Sequence, residues 1–147
     1  MANFSDFAQH MDWAGLIDLL LSVAAILLCL TVHETCHGLA ACALGDPTAK
    51  RLHRLSLNPL RHIDPFGALM MLVAGFGWAK PVPVDPRYFR KPKLGMAITA
   101  LAGPVSNLVM AYLALLLRAV LLAFYHPGSV LLEGIIGFCE TLAGLNV

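Results

Sequence analysis

His33, Glu34 and His37 stand in the order H-E-x-x-H within HETCH, and here residue type and spacing together spell out a reaction. In an α-helix, positions i and i+4 lie one above the other on a single face, so the two imidazoles can converge on one Zn2+ ion. Glu34, one step round the helix, is within reach of the attacking water. It can take a proton as general base and return it to a leaving amine as general acid. In shuffled chains of this His and Glu content the pattern arises in roughly half a percent of cases, so it is specific without being self-proving.

The element that carries this motif is an apolar run read as a helix over residues 14–44, closed by Gly45, Asp46 and Pro47. At 1.5 Å per residue it is about 45 Å long, enough to cross a hydrocarbon core of about 30 Å. Two histidines and a glutamate inside such a helix are costly to bury, and an ionisable cluster at membrane depth marks a functional site by default. His37 lies eight residues before Gly45, which puts the expected metal about 12 Å inside the membrane boundary. Water must therefore reach it through a cavity.

The whole composition fits that setting. The chain has 147 residues, 59% apolar and only 13% charged, against about 25% charged in a typical soluble domain. An ordinary cytosolic globule, a disordered chain and a nucleic-acid module are excluded. Nine of the ten Lys and Arg fall between Lys50 and Lys93, leaving only Arg118 outside. Such clustering expects basic loops (45–65 and 80–93) on the cytoplasmic face of a plasma membrane, with the N-terminus outside. Arg87, Arg90, Lys91 and Lys93 are expected to meet anionic headgroups.

Between the basic loops, residues 66–79 are apolar but too short to span. They read as a re-entrant or hairpin segment, tolerated at depth only where protein or a wet cavity covers the backbone. A second spanning helix is expected over 94–125, opened or kinked at Pro104, with Asn107 satisfying a carbonyl that the proline frees. Arg118 can snorkel to the far interface. His126-Pro127-Gly128 is a turn, and 129–147 begins a further apolar helix that stops without a polar tail. Glu133 and Glu140, seven residues apart on it, point into a bundle or a wet interface. Cys29, Cys36 and Cys42 are spaced about 9–10 Å apart along the first helix, beyond disulfide reach. The N-terminal MANFSDFAQHMDW has no basic region and no small-residue cleavage site, so a removable signal peptide is not expected. The fold class is an all-α membrane protein, a polytopic transmembrane helix bundle with a re-entrant hairpin between its first two spanning helices.

With these residues in view, the chain resembles the site-2 proteases, intramembrane zinc metalloproteases that cut membrane-anchored regulatory proteins. HGLAACALGDPTAKRLHRLSLNPLRHIDPFG resembles the region after the zinc helix in the short prokaryotic branch. FGWAKPVPVDPRYFRKPKLGM resembles the loop beside the active site, and ALAGPVSNLVMA the GPxxN helix. The resemblance covers about residues 30–112 and implies His33 and His37 as zinc ligands and Glu34 as the catalytic acid or base. It implies Asn107 as a residue that positions substrate or stabilises an oxyanion, and offers His62 a place at the active-site entrance, with a hydrogen bond inside a turn as the alternative. The family's third ligand is an Asp from an Asp-Gly motif, expected here beyond residue 147. Asp64 and Asp85 stand in Asp-Pro loops instead. His53 stands where the resemblance expects a glycine before Arg54, and is read as a loop residue rather than a ligand.

The implied substrate is a membrane protein cut in or near a transmembrane segment, unwound into a strand that pairs with a loop hairpin around residues 52–85. Two readings compete. One is a non-catalytic pseudoprotease or fragment that binds membrane partners. The other is a metal-handling membrane protein that uses the face shared by Cys29, His33 and Cys36, although cysteine is also a common filler of buried helices.

Overall fold

The computed structural model describes residues 13–74, 76–125 and 129–146. The expected His126-Pro127-Gly128 turn and the segment before Trp13 lie outside the described residues. Helix α1 spans Trp13–Ala43, α2 is the single turn Thr48–Arg51, α3 spans Pro65–Ala74, α4 spans Pro92–Ala123 and α5 spans Val130–Leu145. Two 3-10 turns, Pro59–Arg61 and Pro86–Tyr88, stand in the connections. Among the described residues there is no strand, only an isolated antiparallel bridge between Ile63 and Ala79.

Helix α1 ends where its turn formers predict. The Asp46 N–H donates to the Ala41 carbonyl at 2.9 Å and the Gly45 N–H to the Cys42 carbonyl at 3.1 Å. This closure needs a left-handed residue, and Gly45 supplies it with φ +106°. Helix α2 ends in the same way: the Arg54 N–H donates to Ala49 at 2.8 Å and the His53 N–H to Lys50 at 3.1 Å. Here the left-handed position is His53, with φ +53°. A glycine is expected there because it alone adopts this conformation without steric cost.

Asp46 ties the two closures to the next loop. Its side chain is fully buried; Oδ1 accepts the Thr48 N–H at 2.9 Å and the Thr48 hydroxyl, and Oδ2 accepts the Asp85 N–H at 2.7 Å. Burial alone would raise this carboxyl, but the bonds from Thr48 and Asp85 outweigh it and hold Asp46 below its ordinary value.

The segment read as a short apolar hairpin is a helix followed by a returning extended stretch. Asp64 Oδ1 caps α3 by accepting the Gly67 N–H at 2.8 Å. The chain then comes back so that Ala79 bridges Ile63 and the Lys80 N–H donates to the His62 carbonyl at 2.9 Å. The Trp78 carbonyl lies where a Cβ on Gly67 would have to sit, so only glycine admits the return. Helix α4 runs through Pro104 without interruption. The Ser106 hydroxyl, rather than Asn107, donates to a nearby carbonyl, that of Gly103 at 2.6 Å.

Helices α1, α4 and α5 all contact one another. Their shared core is built from small or slender side chains, Ala25 and Cys29 on α1, Ala114 on α4, and Cys139, Leu142 and Ala143 on α5. Small residues let helix backbones approach closely, the packing style of helices in lipid. All four cysteines are free thiols. Glu140 faces Arg118 of α4 at 3.5 Å, and Glu133 accepts the Tyr125 hydroxyl at 2.7 Å. Helices α1 and α4, 31 and 32 residues long, are both long and apolar enough to cross a membrane. Their large apolar side chains point outward: Leu20 is 60% exposed, Leu101 61% and Tyr112 66%. Such a surface is at rest only against an apolar medium.

Two predictions follow from the loop chemistry. His53→Gly should stabilise the fold by about 0.5–1 kcal/mol, read as a higher unfolding temperature in detergent, whereas His53→Val should lower it. For Asp46 the folded pKa lies below the unfolded value of about 3.9, so its contribution is complete above that pH and lost as pH falls through the folded pKa. The stability gap between wild type and Asp46→Asn should therefore narrow below about pH 4 in a pH series of thermal melts.

Candidate metal centre

Helical periodicity sets His33 and His37 on the face of α1 that meets α4. Their rings are 4.6 Å apart between centroids and nearly perpendicular. Both Nε2 atoms turn to the same spot, in front of the Gly103 backbone. A Cβ built on Gly103 would run into Nε2 of both rings. The missing side chain at Gly103 thus lets both imidazole nitrogens come close to the α4 backbone.

The protonation of His37 follows from its neighbour. Its Nδ1 lies 2.7 Å from the Thr99 carbonyl, an acceptor, so Nδ1 carries the hydrogen and Nε2 keeps its lone pair. A backbone carbonyl behind an imidazole is the usual second partner of a metal-binding histidine, fixing both tautomer and ring orientation. Two imidazole Nε2 atoms brought together beside a glycine, one of them with its ring held by the Thr99 carbonyl, fit a zinc ion. They supply two of the three protein ligands that a catalytic zinc takes.

Among the described residues no group of three His, Cys, Asp or Glu side chains converges on one point. Asp46, Asp64 and Asp85 are engaged as caps and turn acceptors: Asp85 takes the Arg87 N–H at 3.0 Å and pairs with its guanidinium at 2.6 Å. Cys29 faces the site's cavity, but its Sγ receives the Asn146 Nδ2 at 2.8 Å. The face of Cys29, His33 and Cys36 therefore gathers no three-ligand set.

Glu34 reaches the returning segment, where its Oε2 accepts the Val82 N–H at 3.0 Å. A cavity of about 440 Å³ opens beside it, lined by Cys29, Leu30, His33, Glu34, Asn107 and Leu145 among others. Asn107 thus shares a cavity with the motif, four residues after Gly103 on α4. Its Oδ1 is buried and without a partner.

His62 stands elsewhere. It is fully buried in the loop, and its Nε2 donates to the Ser56 carbonyl at 2.7 Å. The Thr35 hydroxyl donates to the same carbonyl at 3.0 Å. Of the two roles open to His62, the geometry is that of the internal hydrogen bond, and the residue does not line the cavity. Sequence reasoning passed over Gly103, the Thr99 carbonyl and the Val82 N–H, each of which acts through the backbone. The Gly-Pro pair at 103–104 is the available signal, both as a kink site and as part of the GPxxN stretch, but neither reading points to the close approach of the histidines.

A side chain at this close approach should remove metal binding. Gly103→Ala is expected to leave the helix content of the protein unchanged while reducing bound zinc to background, measured by metal analysis of the purified protein.

No protein-family model matches the chain, and no solved structure matches it. Two curated relatives do. Over 102 residues the chain is 46% identical to "Putative zinc metalloprotease YwhC" of Bacillus subtilis (strain 168), covering 69% of this chain and 47% of that protein. It is 29% identical over 147 residues to "Putative zinc metalloprotease Rip2" of Mycolicibacterium smegmatis, covering 95% of this chain and 54% of the relative. The chain spans about half the length of the curated relatives it matches. By this relationship the chain is similar to zinc metalloproteases, and the motifs already seen in its sequence are those that resemble the site-2 protease family.

Proposed function

We propose that the chain is the metal-binding part of a zinc-dependent intramembrane endopeptidase, which hydrolyses a peptide bond in or near a transmembrane segment of another membrane protein. The observation that carries the reading is the pair of Nε2 atoms brought together beside Gly103, with Glu34 next to His33 in the chain. In this reading α1 and α4 cross the membrane, α3 and its return form a re-entrant hairpin, and α5 begins a further crossing. The basic loops lie on the cytoplasmic side.

His33 and His37 would hold the zinc, with a third ligand, an Asp, supplied from beyond residue 147. Zinc, when bound, polarises the scissile carbonyl and makes a coordinated water acidic enough to attack near neutral pH. Glu34 accepts the proton of the attacking water and passes it to the departing amine. Asn107, whose side-chain oxygen has no partner and which lines the same cavity, would accept a substrate main-chain N–H. The cavity of about 440 Å³ on the Glu34 side gives water and an unwound substrate a way in.

The test uses the full-length protein with a membrane-anchored substrate in liposomes. Glu34→Gln should lower kcat by about 10²–10⁴-fold while keeping its zinc. His33→Ala and His37→Ala should lose both. If Glu34→Gln cleaved as well as wild type, the hydrolytic reading would fall and a binding role would take its place.

A further inference from the structure

Glu34 is held by a loop, so whatever holds the loop sets the carboxylate. Its hydrogen-bond partner, the Val82 N–H, belongs to the return of residues 76–84, where no ladder of strand hydrogen bonds fixes the chain. Proline at 81 and 83 leaves Val82 as the one donor in that tripeptide. The successive carbonyls of Lys80 and Pro81 are gripped by a single guanidinium. Arg54 Nη2 donates to Lys80 O at 2.7 Å and to Pro81 O at 3.4 Å, and its Nη1 donates to Arg61 O.

The bonds form a circuit that begins and ends on adjacent residues of α1. Thr35 donates to Ser56 O at 3.0 Å, and His62 donates to the same oxygen at 2.7 Å. The His62 carbonyl accepts the Lys80 N–H at 2.9 Å. Arg54 joins Arg61 to Lys80 and Pro81, and Val82 closes on Glu34. The Val82 side chain is buried, and together with Leu55 it crowds Gly38, one turn further along α1. Arg54 itself is aimed by the left-handed closure at His53.

We infer that Arg54 is a positioning residue for Glu34: its forked guanidinium fixes the 80–82 main chain so that the Val82 N–H orients the carboxylate, with His62 as the buried anchor of the same circuit. This rests on the proposed role of Glu34. It assigns Arg54 a task beyond adding positive charge to a cytoplasmic loop. The two tasks separate cleanly, because lysine keeps the charge but is a point donor that lacks the planar fork.

The experiment compares wild type, Arg54→Lys and Arg54→Ala as full-length protein in liposomes. Arg54→Lys should lower kcat by about 10- to 100-fold, the scale of a small misplacement, with KM and zinc content unchanged. The second readout needs neither zinc nor substrate. Pro81 and Pro83 carry no amide hydrogen, so exchange of a peptide over 80–84 reports only Lys80, Val82 and Val84. In metal-free protein that exchange should quicken in Arg54→Lys and in Glu34→Ala alike, while exchange over α1 stays as in wild type. The inference is overturned if Arg54→Lys matches wild type in kcat, if it leaves the 80–84 exchange unchanged, or if it loses zinc together with activity. If wild type cleaves nothing, the proposed function fails by itself, and the exchange arm still judges the circuit.

Discussion

The approach of α4 to α1 at Gly103 is the contact on which the site depends. Two imidazoles four residues apart share a helix face by geometry alone, but nothing in that helix brings their nitrogens to a common spot. The facing helix must come close to them and yet put no side chain in their way. It must also offer an acceptor to the back of a ring, which the Thr99 carbonyl does one turn earlier. Glycine at 103 and a backbone oxygen at 99 meet both demands, and both require α4 to lie tight against α1. The small residues of the three-helix core, Ala25, Ala114 and Ala143, allow that closeness away from the site.

Much of this was legible in the chain because the signals were local. The H-E-x-x-H spacing, the Gly45 closure and the two long apolar runs each depend on residues within a few positions of one another. The ends of α1 and α4 accordingly fall within about two residues of the positions read from the sequence. What stayed hidden was carried by main-chain atoms or by pairs far apart in the chain. Val82 reaches Glu34 across 48 positions, and Thr99 reaches His37 across 62. No residue type announces a backbone N–H or carbonyl. Arg54 is hidden for another reason: it is one of nine clustered cations, and nothing in the sequence sets its guanidinium apart from the other eight.

His53 lies between these cases. Its departure from the expected glycine was visible in the sequence, but the reason was not. In the structure it occupies a left-handed helix closure, the same device that Gly45 provides one loop earlier. Histidine tolerates that conformation at a cost, so its presence leaves the loop's path intact and strains it slightly. Since the next residue is Arg54, the conformation of His53 also sets the direction from which the guanidinium reaches the returning strand.

Glu34 and the irregular segment in front of it solve each other's problem. The helix turns about 100° per residue, so a carboxylate next to a histidine is offset from it around the helix. It reaches the 79–84 stretch, where the backbone has left regular structure and its polar groups need partners. A backbone N–H or carbonyl taken out of water costs free energy unless it is hydrogen-bonded. Glu34 satisfies the Val82 N–H, Arg54 the carbonyls of Lys80 and Pro81, and the His62 carbonyl the N–H of Lys80. The bonds that let the loop exist beside the helix are therefore the same bonds that orient the carboxylate.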